Sequence, residues 1–222
     1  GMGKSGELRV CENKITLSGK MEYYGILFEG QIAVICEGGE VIPRENMLEV
    51  KNADSAVIIM AAGTNYKFES RVIMERKHAE KLAPYPHPHE KVSAILENAM
   101  GYSYEELLLR HKEDYFELIS RACVDFGGVC PKIPTDELIE SYRNGENKAY
   151  LEELYFTYGR YLLISSSRPG TYPANLQGTW NKYASSPWSS GYWHNINIQM
   201  NYWPAFNTNL HELFLPYIEY FK

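Results

Sequence analysis

Apolar and polar residues alternate along much of GILFEGQIAVIC (Gly25–Cys36). A period of two predicts a strand with one face buried. The Gly-Gly of CEGGEV marks a turn, and MLEV (Met47–Val50) reads as a further short strand. SAVIIMAAGT (Ser55–Thr64) is apolar almost throughout. Such a run is expected of a strand covered on both faces. Turn residues separate these runs at short spacing. The pairing is therefore expected to be antiparallel, in a sheet that is small or part of a larger one.

The period changes after APYPHPHE (Ala83–Glu90), a proline-rich break that reads as a solvated linker. Its two histidines have no third ligand nearby, so no metal is assigned to them. SYEE (Ser103–Glu106) is a capping box. Leu107, Leu108, His111, Tyr115, Leu118 and Ile119 follow at helical spacing, with His111 read as a helix-face residue. A second helix is predicted from Thr135, with Leu138, Ile139 and Tyr142 on one face and Gly145 as its stop. A third spans Lys148 to Ile164, with Leu151, Leu154, Tyr155, Tyr158 and Leu162 inward. NLHE (Asn209–Glu212) is a box-like start of a last helix, expected to kink at Pro216. The fold class is α+β: a small antiparallel sheet portion followed by helical segments.

Composition narrows the chemistry. Aromatics make up 14% of the chain, with 18 Tyr and 4 Trp. These side chains pair an apolar face with a polar tip, which suits sugars as well as packed cores. A net charge of −6 argues against a nucleic-acid partner, which needs clustered Lys and Arg. No apolar run is long enough to span a bilayer. GMGKSGELRV has no apolar stretch of the secretory-leader kind. Its first Gly reads as a tag remnant before Met2; the compartment stays open between cytoplasmic and secreted. Cys11, Cys36, Cys123 and Cys130 are widely spaced and read as free buried thiols, with a Cys123–Cys130 bridge as the alternative.

The densest chemistry lies late in the chain. SSSRPGTYPANLQGTWN (Ser165–Asn181) and SSPWSSGYW (Ser185–Trp193) read as ordered loops. GYWHNINIQMNYWPAFNTN (Gly191–Asn209) then gathers five asparagines, a glutamine and two tryptophans without a carboxylate. Taken singly, Asn195, Asn197 and Asn201 could be caps, and Trp180, Trp188, Trp193 and Trp203 could be core. Together they fit recognition of a neutral, hydroxyl-rich ligand: amides donate and accept, and aromatic faces cover the C–H side of a pyranose.

YLLISSSRPGTYPANLQGTWN and NINIQMNYWPAFNTNL closely resemble the signature region of glycoside hydrolase family 95, the 1,2-α-L-fucosidases and relatives. FEGQIAVICEGGEV, LLLRHKEDYFELISR, PTDELIESY and LYFTYGRYLLISSSRPG extend the resemblance along nearly all of the chain. It implies a β-sandwich domain, a helical linker and an (α/α)6 barrel. Residues 1–82 would be a portion of the sheet domain, 83–146 the linker and 147–222 the start of the barrel. It also implies inverting hydrolysis of terminal α-L-fucosyl or related α-L-galactosyl linkages in oligosaccharides, without a cofactor. Asn195 and Asn197 match the N-x-N pair that orients the attacking water. Gln177, Trp180, Trp188 and His194 are expected to contact substrate, although His194 stands where relatives usually show an apolar residue. The family's acid Glu and assisting Asp have no match here; Glu212 and Glu219 read as helix-start and helix-face residues. The chain is thus expected to be a middle piece, inactive alone. Leu210, Phe214, Tyr217 and Phe221 should be left uncovered, inviting self-association or a second chain. The alternative is a non-catalytic carbohydrate-binding or structural remnant. Asn195–Asn197 is expected to be extended or irregular, with helix beginning only near Gln199 and both amides facing one cavity, on the side of Trp188 or Trp180.

Overall fold

The computed structural model describes residues 4–22, 24–75, 77, 81–82, 84–183 and 186–222. Met2, Ala83 and Ser185 lie outside the described residues. Strands β1 (Lys4–Cys11), β2 (Lys14–Met21), β3 (Leu27–Glu37) and β6 (Ser55–Thr64) form one sheet in the order β1-β2-β3-β6, every pair antiparallel. Strands β4 (Glu40–Pro43) and β5 (Leu48–Lys51) make a separate hairpin. The first hairpin has its own sequence signal. Leu8 and Val10 alternate with polar residues, Ile15 and Leu17 do the same, and Glu12 takes a positive φ of 52° in the turn.

A short helix α1 (Ser70–Glu75) follows the sheet. Helix α2 (His89–Met100) covers one face of the sheet, burying Val92 and Leu96 against Ala33 and Ala61. Its close approach needs Gly63, where a Cβ would meet Val92 Cγ2 at 2.9 Å. Nothing described covers the other face at Ile58 and Met60, which are 69% and 71% exposed. β6 is therefore half-buried, not covered on both faces: an apolar run does not say how many layers pack on it. The proline-rich break is also more than a solvated linker. His89 Nδ1 lies 2.8 Å from Oε1 of the buried Glu29. Gln31 Nε2 donates to the same oxygen at 2.6 Å and to Ser93 Oγ at 2.8 Å. A buried carboxylate needs such donors, and the turn supplies one. Among the described residues, no group of three or more His, Cys, Asp or Glu could hold a metal ion.

The chain divides into Gly1–Leu109 and Arg110–Lys222. The second unit comprises most of α3 (Tyr104–Ile119), then α4 (Thr135–Arg143), α5 (Lys148–Ser166), α6 (Asn197–Asn207) and α7 (Leu215–Tyr220). The capping box of α3 is closed: Ser103 N–H donates to Glu106 Oε2 at 2.7 Å, and Glu106 N–H to Ser103 Oγ at 3.2 Å. The core joins Leu118, Leu163, Ile164, Ile198, Tyr202 and Leu213. Arg160 is buried within α5, where it donates to the carbonyls of Leu118, Ile119 and Ala122 at the end of α3. Leu118 and Ile119 are among the last carbonyls of α3, which a helix C-terminus leaves without an intrahelical donor.

Two expectations of facing are overturned here. α5 buries Arg160, Leu163 and Ile164, while Tyr155 is 80% exposed and Tyr158 and Leu162 are also exposed. The helix is apolar around most of its circumference, so its period does not choose the inner face. Leu210 is fully buried and Phe214 and Tyr217 pack against the core; Phe221 remains exposed. Pro216 falls in the first turn of α7, after a 3₁₀ turn at His211–Phe214. The expected kink is thus a change of helix, at a position where proline loses no hydrogen bond. All four cysteines are free, but Cys11, Cys123 and Cys130 are exposed and Cys36 is half-buried, not the buried thiols expected. Among the described residues, no helix is long and apolar enough to cross a membrane.

Candidate functional site

A buried hydroxyl network sets the floor of the loop region. Ala174 N–H donates to Tyr202 Oη at 2.8 Å. Tyr202 Oη lies 2.7 Å from Ser167 Oγ, which donates to the Leu213 carbonyl at 2.9 Å. The chain of donors runs one way, so every member is satisfied. Burial pushes the Tyr202 phenol up, against the hydrogen bonds it shares with Ser167 and Ala174, so it keeps its proton. One phenol on α6 thereby anchors the end of α5, the first loop and the 3₁₀ turn.

The two loops are then tied to each other. Leu176 N–H donates to Gly191 O at 3.2 Å. Gln177 Nε2 donates to Pro187 O at 2.9 Å, and Gln177 N–H to Asn175 Oδ1 at 2.9 Å. Asn201 Nδ2, from α6, donates to the Asn175 carbonyl at 2.9 Å. Gln177 Oε1 is buried and has no hydrogen-bond partner among the described residues.

Residues 194–196 form a turn and α6 begins at Asn197, two residues before the onset expected near Gln199. Ile196 is the N-cap at φ 74°, ψ −40°, and its carbonyl already accepts from Met200 N–H at 2.9 Å. Its left-handed φ lets the helix start abruptly, which polarity along the segment does not reveal. Asn195 and Asn197 are both exposed, and neither amide is hydrogen-bonded among the described residues. Neither is spent on capping.

Four of the expected site residues, Asn197, Gln177, Trp180 and Trp188, line two cavities. Asn197 lines one of about 560 Å³, with Leu176, Gln177, Trp188 and Trp193. Trp180 lines a second, of about 710 Å³, with Gln177, Asn201, Tyr158, Tyr161 and Thr179 among its walls. Asn195 lines neither of these two cavities. His194 also lies apart from both: its ring stacks on Tyr192 and Tyr220 and packs edge-to-face with Phe221, the ring centroids 4.8 Å apart. All four tryptophans are exposed, so none serves as core. Tyr158 and Tyr161 are not among the expected site residues, because the pattern of α5 reads as that of an ordinary core helix.

Among the described residues, no carboxylate lines either cavity. Glu212 is held by Arg121. Burial pushes its carboxyl up, but its own backbone N–H and Arg121 outweigh that and draw it below the usual range. Glu219 is exposed on α7.

Neutral cavities walled by aromatic faces and amides, borne on a helical unit, are a form that sugar-processing proteins use. The glycosyl hydrolase family 95 catalytic domain matches residues 103–222, and the chain belongs to that family. It is 35% identical over 207 residues to alpha-L-fucosidase 2 of Arabidopsis thaliana, across 90% of this chain and 24% of that protein. It is 34% identical over 216 residues to the probable alpha-fucosidase A of Aspergillus niger, across 92% and 26%. The same identity holds over 179 residues for the probable alpha-fucosidase A of Aspergillus oryzae, across 79% and 24%. The chain spans about a quarter of the length of these relatives.

Proposed function

We propose that this chain supplies the sugar-recognising and water-orienting wall of a glycosidase that removes terminal α-L-fucosyl, or related α-L-galactosyl, residues from oligosaccharides with inversion. The observation that carries the reading is Asn197: an uncommitted amide in a neutral cavity beside Trp188 and Trp193. An amide is no strong base. It can hold a water in line with the anomeric carbon and accept one of its hydrogens, while a carboxylate takes the proton. Inversion needs a second carboxylic acid across the scissile bond to protonate the leaving oxygen. Among the described residues, neither cavity supplies one. Asn195 joins Asn197 in this role if the turn at 194–196 re-aims it. Gln177, Trp180 and Trp188 contact substrate; His194 shapes the rim through its aromatic stack. The lack of a carboxylate in the walls also favours a second reading, sugar binding without catalysis.

The exposed apolar side chains support a further partner, another polypeptide or a second copy. In the helical unit they run through Tyr155, Tyr158, Met200, Trp203 and Phe206.

The isolated chain is expected to bind 2′-fucosyllactose, quenching tryptophan fluorescence, and to release no L-fucose from it. General acid–base catalysis worth about 10²–10⁴-fold is missing. Asn197→Ala should weaken binding. Fucose release abolished by Asn197→Ala would sink the expectation of inactivity, and an unchanged fluorescence at saturating sugar would sink the recognition reading.

A further inference from the structure

Asn195 and Asn197 flank a backbone conformation that does not hold itself. Ile196 stands between them at φ 74°, ψ −40°, and neither asparagine side chain caps the helix that follows. A residue in such a conformation stays there only where its surroundings impose it. Two backbone bonds do part of this. Ile198 N–H donates to the Trp193 carbonyl at 3.4 Å, and Met200 N–H to the Ile196 carbonyl at 2.9 Å. Gln199 adds a side-chain tie. From the first turn of α6 its Nε2 reaches back and donates to the carbonyl of His194, the residue before Asn195. The reverse orientation of the amide would set oxygen against oxygen, so this contact fixes which end of Gln199 meets the turn.

The other end of the amide gains nothing in return. Gln199 Oε1 is buried and has no hydrogen-bond partner among the described residues. A buried acceptor left unpaired destabilises a fold by at least as much as one hydrogen bond stabilises it. Stability alone would favour an apolar side chain of similar shape here, methionine for example. Gln199 lines neither the Trp180 cavity nor the Asn197 cavity, so contact with a ligand there does not account for it either. What its amide does hold is the turn under Asn195 and Asn197.

We propose that Gln199 is a positioning residue: its amide braces the turn at 194–196 and so sets the direction in which Asn195 and Asn197 present their own amides. This rests on the function proposed above, in which those amides meet water and sugar, and adds the group that keeps them aimed.

The test uses the 222-residue chain, with 2′-fucosyllactose binding read by tryptophan fluorescence and stability by the urea midpoint. Gln199→Met should leave the midpoint close to wild type, because the lost hydrogen bond and the removed acceptor offset each other. It should weaken the sugar about 10-fold, the effect of misaiming one hydrogen bond. Added to Asn195→Ala/Asn197→Ala, the same substitution should weaken binding no further, since a brace matters only while there are amides to aim. Gln199→Glu should bind as Gln199→Met does where its carboxylate is charged. As pH falls through the ordinary carboxylate range it should recover to wild-type affinity at the same pH, because a carboxylic acid again has a hydrogen to give the His194 carbonyl. Wild-type affinity in Gln199→Met overturns the positioning role. So does a further 10-fold loss in the Asn195→Ala/Asn197→Ala background, and so does a Gln199→Glu chain that stays weak at every pH. A midpoint that falls in Gln199→Met in step with the affinity marks a merely structural residue and equally overturns it. Those outcomes leave the function reading standing. A wild-type chain that gives no response to the sugar brings down that reading, and the positioning role with it.

Discussion

At the scale of single residues, the segment before α6 stores strain. Trp188, Ser189 and Ser190 take left-handed φ values of 50°, 57° and 50°, Trp193 takes 51°, and Ile196 takes 74°. A β-branched residue at positive φ is a genuine outlier, costing about 1–3 kcal/mol. Such strain persists where the surroundings impose it, and here it lies against the Asn197 cavity. Ile196 is half exposed, so its side chain contributes little packing in return. Ile196→Gly is therefore expected to raise stability by about 1 kcal/mol, read as a higher urea midpoint with an unchanged slope. It should also weaken sugar binding, because the helix start that aims Asn197 loosens. A lower midpoint would show that the left-handed start is not strained. The N-x-N pattern was legible in the chain; the left-handed residue between its two members was not, since an isoleucine is the last side chain expected there.

Between elements, the tie of interest joins the end of α3 to the 3₁₀ turn at His211–Phe214. Arg121 follows α3 and holds Glu212, whose carboxyl lies below the usual carboxylate range. A carboxyl with a depressed folded pKa stabilises the fold above its unfolded pKa, and that contribution is lost as pH falls through the folded value. Urea midpoints should thus decline as pH falls through and below the ordinary carboxylate range, and Arg121→Met should flatten the part of the decline that belongs to this pair. An identical pH profile in Arg121→Met would remove the pair from the account. Element boundaries followed the local signals closely: the box at Ser103–Glu106 is closed, α4 starts at Thr135, and β6 spans Ser55–Thr64. Their faces did not follow. Tyr155 and Tyr158 have the spacing of a buried stripe, yet Leu163 and Ile164 took the core.

For the whole molecule, each unit leaves apolar surface in water. In the sheet unit, Leu8, Leu17, Ile58 and Met60 are exposed, and pairing of Leu8 with Leu17 sets those two on one face. In the helical unit, Tyr155, Trp203 and Phe206 are exposed. Contiguous patches of this kind are uncommon on proteins that stay monomeric. The chain is expected to self-associate with rising concentration, measured by light scattering, and to bind a dye that reports apolar surface. A monomer at high concentration with no dye binding would sink this, and with it the proposed partner. Leu210, Phe214 and Tyr217 do not belong to the patch, because the end of the chain folds back onto the helical core.

The sequence by itself determined what is local. Periods of two and of 3.6, the capping box, the turn glycines and the proline break specify where strands and helices lie, because each acts through neighbours within a few residues. The gathering of amides and aromatics without carboxylates was equally plain, and so was the family likeness it carries. Only the tertiary structure decided which face of β6 and of α5 is buried, that all four tryptophans stand outside the core, and that Gln177 divides one cavity from another. Those outcomes depend on what packs against an element. A chain apolar on several sides leaves that choice to partners far away in sequence.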